Sequence, residues 1–143
     1  MGRIMSLDIG SKRTGVAVTD PLKIIANGLE TVPAGQIINY LKDYFKKEIV
    51  ELVVIGYPKQ MNNTGSEAVF HVNEFIRSFE KNFPEMKFQL MDERFTSKMA
   101  FQAMIDGGLK KMQRQDKALV DKISATILLQ SYLDMNQNIS NSR

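Results

Sequence analysis

The fold turns on one stretch near the amino terminus: Ile4-Met5-Ser6-Leu7-Asp8-Ile9-Gly10, then Ser11-Lys12-Arg13-Thr14-Gly15, then Val16-Ala17-Val18-Thr19. Two short apolar runs joined by polar turn chemistry read as neighbouring strands, and a carboxylate interrupts the first. An aspartate inside a buried strand is costly unless it is paired or bound to a cation. That cost makes Asp8 informative. A third run, Ile24-Ile25-Ala26 through Leu29-Glu30-Thr31-Val32, follows Asp20-Pro21 and ends at Pro33. Together the three runs predict an antiparallel meander.

Beyond the meander, apolar residues at Ile37, Ile38, Leu41, Tyr44 and Phe45 have helical spacing over 36–47. Leu52-Val53-Val54-Ile55-Gly56-Tyr57 is a continuous apolar run bounded by Pro58, the pattern of a parallel strand covered on both faces. Ser66 can cap a helix to Asn82 that buries Val69, Val72, Phe75, Ile76 and Phe79, and Phe83-Pro84 stops it. Residues 87–91 read as another strand. Thr96 or Ser97 can cap a helix to Asp106, with Gly107-Gly108 as its stop. A last helix is expected over 118–133, then a frayed polar tail over 136–143. The expected fold is α/β: a mixed five-stranded sheet, three strands in a meander plus parallel strands, flanked by helices. One domain is expected over 1–135.

Composition narrows the chemistry. The chain has 143 residues, 43% hydrophobic and 24% charged, which suits one globular domain and excludes extensive disorder. There is no cysteine, so disulfides, thiolate metal sites and a cysteine nucleophile are excluded. A single histidine, His71, excludes a multi-histidine metal site. No apolar run approaches the ~20 residues of a transmembrane helix, and no signal peptide is visible. A soluble, cytoplasmic protein is expected, without a membrane partner. The net charge is +3, and a local basic cluster, Lys110, Lys111, Arg114 and Lys117, is interrupted by Asp116. Such a cluster can bind phosphate, or it can be an ordinary solvated loop.

Three acidic positions stand apart. Asp8 lies in the first strand, Asp92 and Glu93 end a later strand, and Asp121 sits in a helix that is apolar nearly all round. In open α/β sheets, ligands bind at the carboxyl ends of the strands. Carboxylates converging there suit Mg²⁺ or Mn²⁺. Two such ions roughly 3.5–4 Å apart can activate water and stabilise the leaving oxygen in phosphodiester cleavage. Plainer roles exist for each acid: Asp8 can cap the following turn, Asp92 or Glu93 can pair with Arg94, and Asp121 can pair with Lys117 at i,i+4. Alternation groups Asp92 with Leu90 and Phe88, and Glu93 with Met91 and Gln89, without choosing between them.

The ordered stretches Leu7-Asp8-Ile9-Gly10, Lys12-Arg13-Thr14-Gly15-Val16-Ala17, Val54-Ile55-Gly56-Tyr57-Pro58 with Met61 and Gly65, Asp92-Glu93-Arg94-Phe95-Thr96-Ser97, and Asp121-Lys122-Ile123-Ser124-Ala125 carry a family resemblance. The chain resembles the YqgF/RuvX family, RNase H-like proteins related to RuvC-type Holliday junction resolvases. The resemblance implies a metal-dependent endonuclease whose acidic triad is Asp8, Glu93 and Asp121, holding two Mg²⁺ or Mn²⁺ ions. It implies phosphate contact by Arg13, with Lys12 and Arg94 as further candidates. It also implies a pre-16S rRNA substrate, cleaved in maturing the 5′ end of 16S rRNA at a ribosomal particle. A branched DNA substrate, as for a junction resolvase, and a monomer or homodimer are equally compatible. Glu67 stands where the family commonly has a basic residue, and His71 departs from the usual polar or basic character there.

Two other readings compete. Asp8-Ile9-Gly10 with Thr14-Gly15-Val16 also resembles the first phosphate-binding hairpin of the actin, hexokinase and Hsp70 fold, but those proteins grip ATP between two such domains. A non-catalytic nucleic-acid-binding assembly factor would use the basic cluster for salt-dependent, sequence-independent affinity.

Overall fold

A computed structural model describes residues 2–57, 66–92 and 117–141. Five strands, β1 (Arg3–Ile9), β2 (Arg13–Thr19), β3 (Ala26–Pro33), β4 (Val50–Tyr57) and β5 (Phe88–Asp92), form one sheet in the order β3-β2-β1-β4-β5. The β1–β2 and β2–β3 pairs are antiparallel, and β1–β4 and β4–β5 are parallel. The expected meander and mixed sheet are therefore present, and β1 is central. A 3₁₀ turn (Ala34–Gln36) and helices α1 (Ile37–Lys47), α2 (Ser66–Asn82) and α3 (Lys117–Asn141) complete the described elements. The helix expected to end at Asp106 lies outside the described residues.

Alternation along β1 sorts the two faces. Met5 and Leu7 join Val16, Val18, Val53 and Ile55 in a buried core with Ile37 and Leu41 of α1 and Val72, Phe75 and Phe79 of α2. Ile4 joins Ala17 and Val54 in a second core with Ala125, Leu128, Leu129, Tyr132 and Leu133 of α3. Residues two apart share a face, so Ser6 and Asp8 look toward α3. Ser6 fixes that packing: its buried hydroxyl donates to the Ala125 carbonyl at 2.6 Å.

Three expectations are corrected. Arg13-Thr14-Gly15 belongs to β2, not to the turn, because the hairpin closes more tightly: the Gly10 N–H donates to the Arg13 carbonyl at 2.8 Å. A Cβ at Gly10 would lie 2.7 Å from that same oxygen. The last helix also continues past Leu133 to Asn141, since residues 134–141 contain no glycine or proline to end it. The strand from Val50 starts earlier than its apolar run, because parallel pairing with β1 recruits Val50 opposite Arg3.

Candidate active site

The carboxyl ends of β1, β4 and β5 open at one edge of the sheet, because the three strands run parallel. Asp8 lies at that edge, half-buried, on the α3 face. Its row across the sheet is set by register. Asp8 pairs with Gly15 of β2. On the other side, Leu7 pairs with Ile55 and Gly56 pairs with Met91, which puts Asp8 level with Gly56. Asp8 is thus flanked by two residues without side chains.

Gly15 is what lets α3 approach. A Cβ there would overlap the Asp121 carbonyl oxygen and stand 3.2 Å from the Lys122 nitrogen. No other residue allows a helix backbone so close to a strand. The contact sets Asp121, 113 residues distant in the chain (121 − 8), beside the partner of Asp8. Arg13, two residues before Gly15 on the same face, donates from Nε to Asp121 Oδ2 at 2.9 Å. The ion pair is about one-third exposed on the Arg13 side and 27% exposed on the Asp121 side. Asp121 therefore has a long-range basic partner; the alternative partner Lys117 opens α3, with its side chain outside the described set.

The turn-capping role considered for Asp8 is taken by the backbone bond from Gly10 to Arg13. Among the described residues, no hydrogen bond or ion pair reaches the Asp8 carboxylate. Lys12 is exposed at the tip of the same hairpin. Asp8, Arg13 and Asp121 are thus brought together, with Lys12 close by in the chain. Glu93, Arg94, Lys110, Lys111 and Arg114 lie outside the described residues. No group of three metal-ligating side chains occurs among the described residues.

The donors that are present suit a hard divalent cation: two carboxylates, oxygen donors only, on strand and helix backbones that Gly15 lets approach closely. The residue missed from sequence was Gly15 itself. Its signal was available, since an isolated glycine within an apolar strand pattern marks a close backbone approach.

The model of the RuvX family, described as Holliday junction resolvase, matches residues 2–135. The chain belongs to the RuvX family. Proteins named "Putative pre-16S rRNA nuclease" are similar to it over nearly their whole length. One from Christiangramia forsetii is 61% identical over 93% of this chain and 98% of its own. One from Flavobacterium johnsoniae is 59% identical over 93% and 96%, and one from Phocaeicola vulgatus 55% over 97% and 100%. As a RuvX protein the chain falls among enzymes that hydrolyse phosphodiester bonds. Its fold is that of RuvC from Thermus thermophilus, solved in complex with a Holliday junction: TM-score 0.58 at 18% identity, covering 94% of this chain and 96% of that one. A second structure of the Thermus thermophilus protein gives a TM-score of 0.53 at 14% identity, over the same shares. No helix among the described residues is long and apolar enough to cross a membrane.

Proposed function

We propose that the chain is a divalent-metal-dependent endonuclease that cleaves pre-16S rRNA in the maturation of its 5′ end, with Asp8, Glu93 and Asp121 holding two Mg²⁺ or Mn²⁺ ions. The single observation that carries this reading is the convergence of Asp8 and Asp121 across Gly15 at the carboxyl edge of the sheet. The family resemblance, not the described structure, selects Glu93 over Asp92; within β5 the residues alternate between the two faces of the sheet. Gln89 bonds Tyr132 of α3, and Met91 packs against the α3 core, whereas Phe88 packs on the opposite side.

Bound cations would supply an activated water and charge neutralisation at the leaving oxygen. The chain's own residues do the rest. Asp8, without a described partner and half-buried, offers both carboxylate oxygens to cations. Asp121 is held in place by Arg13, so its second oxygen is oriented without a search through rotamers. Arg13, at the rim of the site, presents a guanidinium suited to a phosphate oxygen. Lys12 and the cluster Lys110, Lys111, Arg114 and Lys117, with Arg94, would hold the backbone of the nucleic acid. A single domain over 1–135, acting in the cytoplasm as monomer or homodimer, completes the reading.

The test is Asp8→Asn, which preserves size and removes the charge. It should abolish Mg²⁺- or Mn²⁺-dependent cleavage of pre-16S RNA while leaving the thermal transition in place. Undiminished cleavage by this variant, or cleavage by the wild type in excess chelator, would defeat the proposal. A second reading, resolution of branched DNA, is favoured by the likeness to RuvC. Cleavage of a four-way junction in preference to RNA by the same preparation would select it.

A further inference from the structure

Behind the Asp8 row, on the opposite face of the sheet, lies a cavity of about 220 Å³ between the β1–β2 hairpin, the start of α1 and α2. Ile9, Ile37 and Phe75 give it apolar walls, and Thr14, His71 and Glu74 give it a polar edge. Thr14 is 1% exposed, and its Oγ1 has no hydrogen-bond partner among the described residues. A buried hydroxyl without a partner costs roughly 1–3 kcal/mol, so Thr14 leaves hydrogen-bonding capacity unused at the cavity wall. Glu74 is the one acidic side chain in the lining, and no lysine or arginine of the described residues joins it. Its Oε1 accepts from Arg77 Nη1 at 2.9 Å in an exposed pair.

The lining selects a ligand class. With no lysine or arginine in its lining, and with a carboxylate there, the cavity disfavours phosphate and other anions. Its volume is below the roughly 300–1,000 Å³ of sites for drug-sized molecules. Apolar walls with a hydrogen-bonding edge suit a flat, neutral heterocycle carrying N–H donors. The position adds the rest: Ile9 and Gly10 follow Asp8 directly, and Thr14 immediately precedes Gly15. A single strand crossing this edge of the sheet with a phosphate at Asp8 would present the neighbouring base to the other face.

We propose that this cavity is a subsite for one unstacked nucleobase of the nucleic-acid substrate, its donor edge toward Glu74 and Thr14. The inference rests on the nuclease reading for its biological ligand, yet its chemistry is testable without cleavage. Single-stranded RNA is commonly recognised through splayed bases held on apolar and aromatic walls and bonded at their edges.

The experiment titrates the full chain, in chelator, with adenosine, guanosine, cytidine and uridine, following amide resonances; ribose and inorganic phosphate serve as comparison probes. At least one nucleoside should shift resonances at 9–14 and 71–78, whereas ribose and phosphate should not. Glu74→Gln, on the exposed side of a helix, should weaken that nucleoside about tenfold, as for loss of a hydrogen bond to a charged group. Thr14→Val should weaken it severalfold. If Thr14→Val does not fold, Glu74→Gln alone decides. Binding by no nucleoside, equal shifts with ribose or phosphate, or unchanged affinity in Glu74→Gln would overturn the proposal. Chelator removes catalysis from the measurement, so a loss here leaves the nuclease reading standing. Conversely, cleavage by Asp8→Asn would remove that reading and leave the base subsite.

Discussion

Arg13 Nε lies 2.9 Å from Asp121 Oδ2, joining the second strand to the last helix across 108 residues of chain. The pair sits beside Gly15, whose missing side chain lets the helix backbone in. Arg13 thus has two tasks that compete: it neutralises a candidate cation ligand, and it stands where a phosphate would arrive.

Removing Arg13 should therefore split binding from turnover. Arg13→Ala leaves Asp121 without its described partner and makes the site more negative by one charge. At about 1 kcal/mol for a solvated pair, Mn²⁺ should bind roughly fivefold tighter in calorimetric titration. Cleavage at saturating Mn²⁺ should nevertheless fall by tenfold or more, because the guanidinium facing the phosphate is gone and Asp121 has lost its ion pair. Weaker Mn²⁺ binding by the variant would show that Arg13 builds the cation site and does not compete with it.

Gly15→Ala should be damaging in proportion to its surroundings. The added methyl meets the Asp121 carbonyl, backbone against backbone, so α3 must move. Overpacking of this kind costs about 1–3 kcal/mol, read as a lower denaturation midpoint, with cleavage lost as well. Gly35→Ala is the control: a Cβ there meets nothing within 4 Å. That substitution should stay within about 0.5 kcal/mol of the wild type.

Ser6→Ala should loosen the helix without touching any candidate ligand. The buried hydroxyl donates to the Ala125 carbonyl at 2.6 Å, and a neutral hydrogen bond contributes about 0.5–1.5 kcal/mol. Chemical denaturation should register that loss, and hydrogen exchange should rise first in α3. An unchanged midpoint would mean that apolar packing alone holds the helix.

Tyr40 gives a stability signature at alkaline pH. Burial pushes its phenol up to about 12, and the Glu30 carboxylate adds to the shift. The folded state therefore keeps the proton after the unfolded chain, at about 10, has lost it. The contribution is present below pH 10 and is lost as the pH rises from there toward 12. Burial raises Tyr44 as well, so absorbance titration at the phenolate band should show late-titrating phenols, of which the Tyr40 contribution disappears in Tyr40→Phe. The variant should also be less sensitive to pH over the same interval.

Much of the fold was legible because periodicity reports burial. Met5 and Leu7 alternate with Ile4 and Ser6, and the two sets line the two cores. The extent of α2, Ser66 to Asn82, matches the apolar spacing of Val69, Val72, Phe75, Ile76 and Phe79, with Phe83-Pro84 after its end. Boundaries set by pairing were less legible. Arg13-Thr14-Gly15 has turn composition, yet β1 and β3 on either side pull it into the sheet. Of the acidic positions, Asp8 announced itself by interrupting an apolar run. Asp121 had two readings, a surface pair with Lys117 or a member of a shared site, and local spacing could not separate them.

Taken alone, the order of residues determined which segments are strands and helices, which side of each is apolar, and that a carboxylate interrupts the first strand. Those properties depend on neighbours within a turn or a pleat. Only the tertiary structure decided that Asp121 meets Arg13, that the backbone approaching Gly15 is that of the last helix, and that a cavity backs the Asp8 row. These are contacts between segments remote in the chain, 108 residues in the case of Arg13 and Asp121, fixed by sheet register and by how closely a helix can lie on a strand. No local pattern encodes that distance.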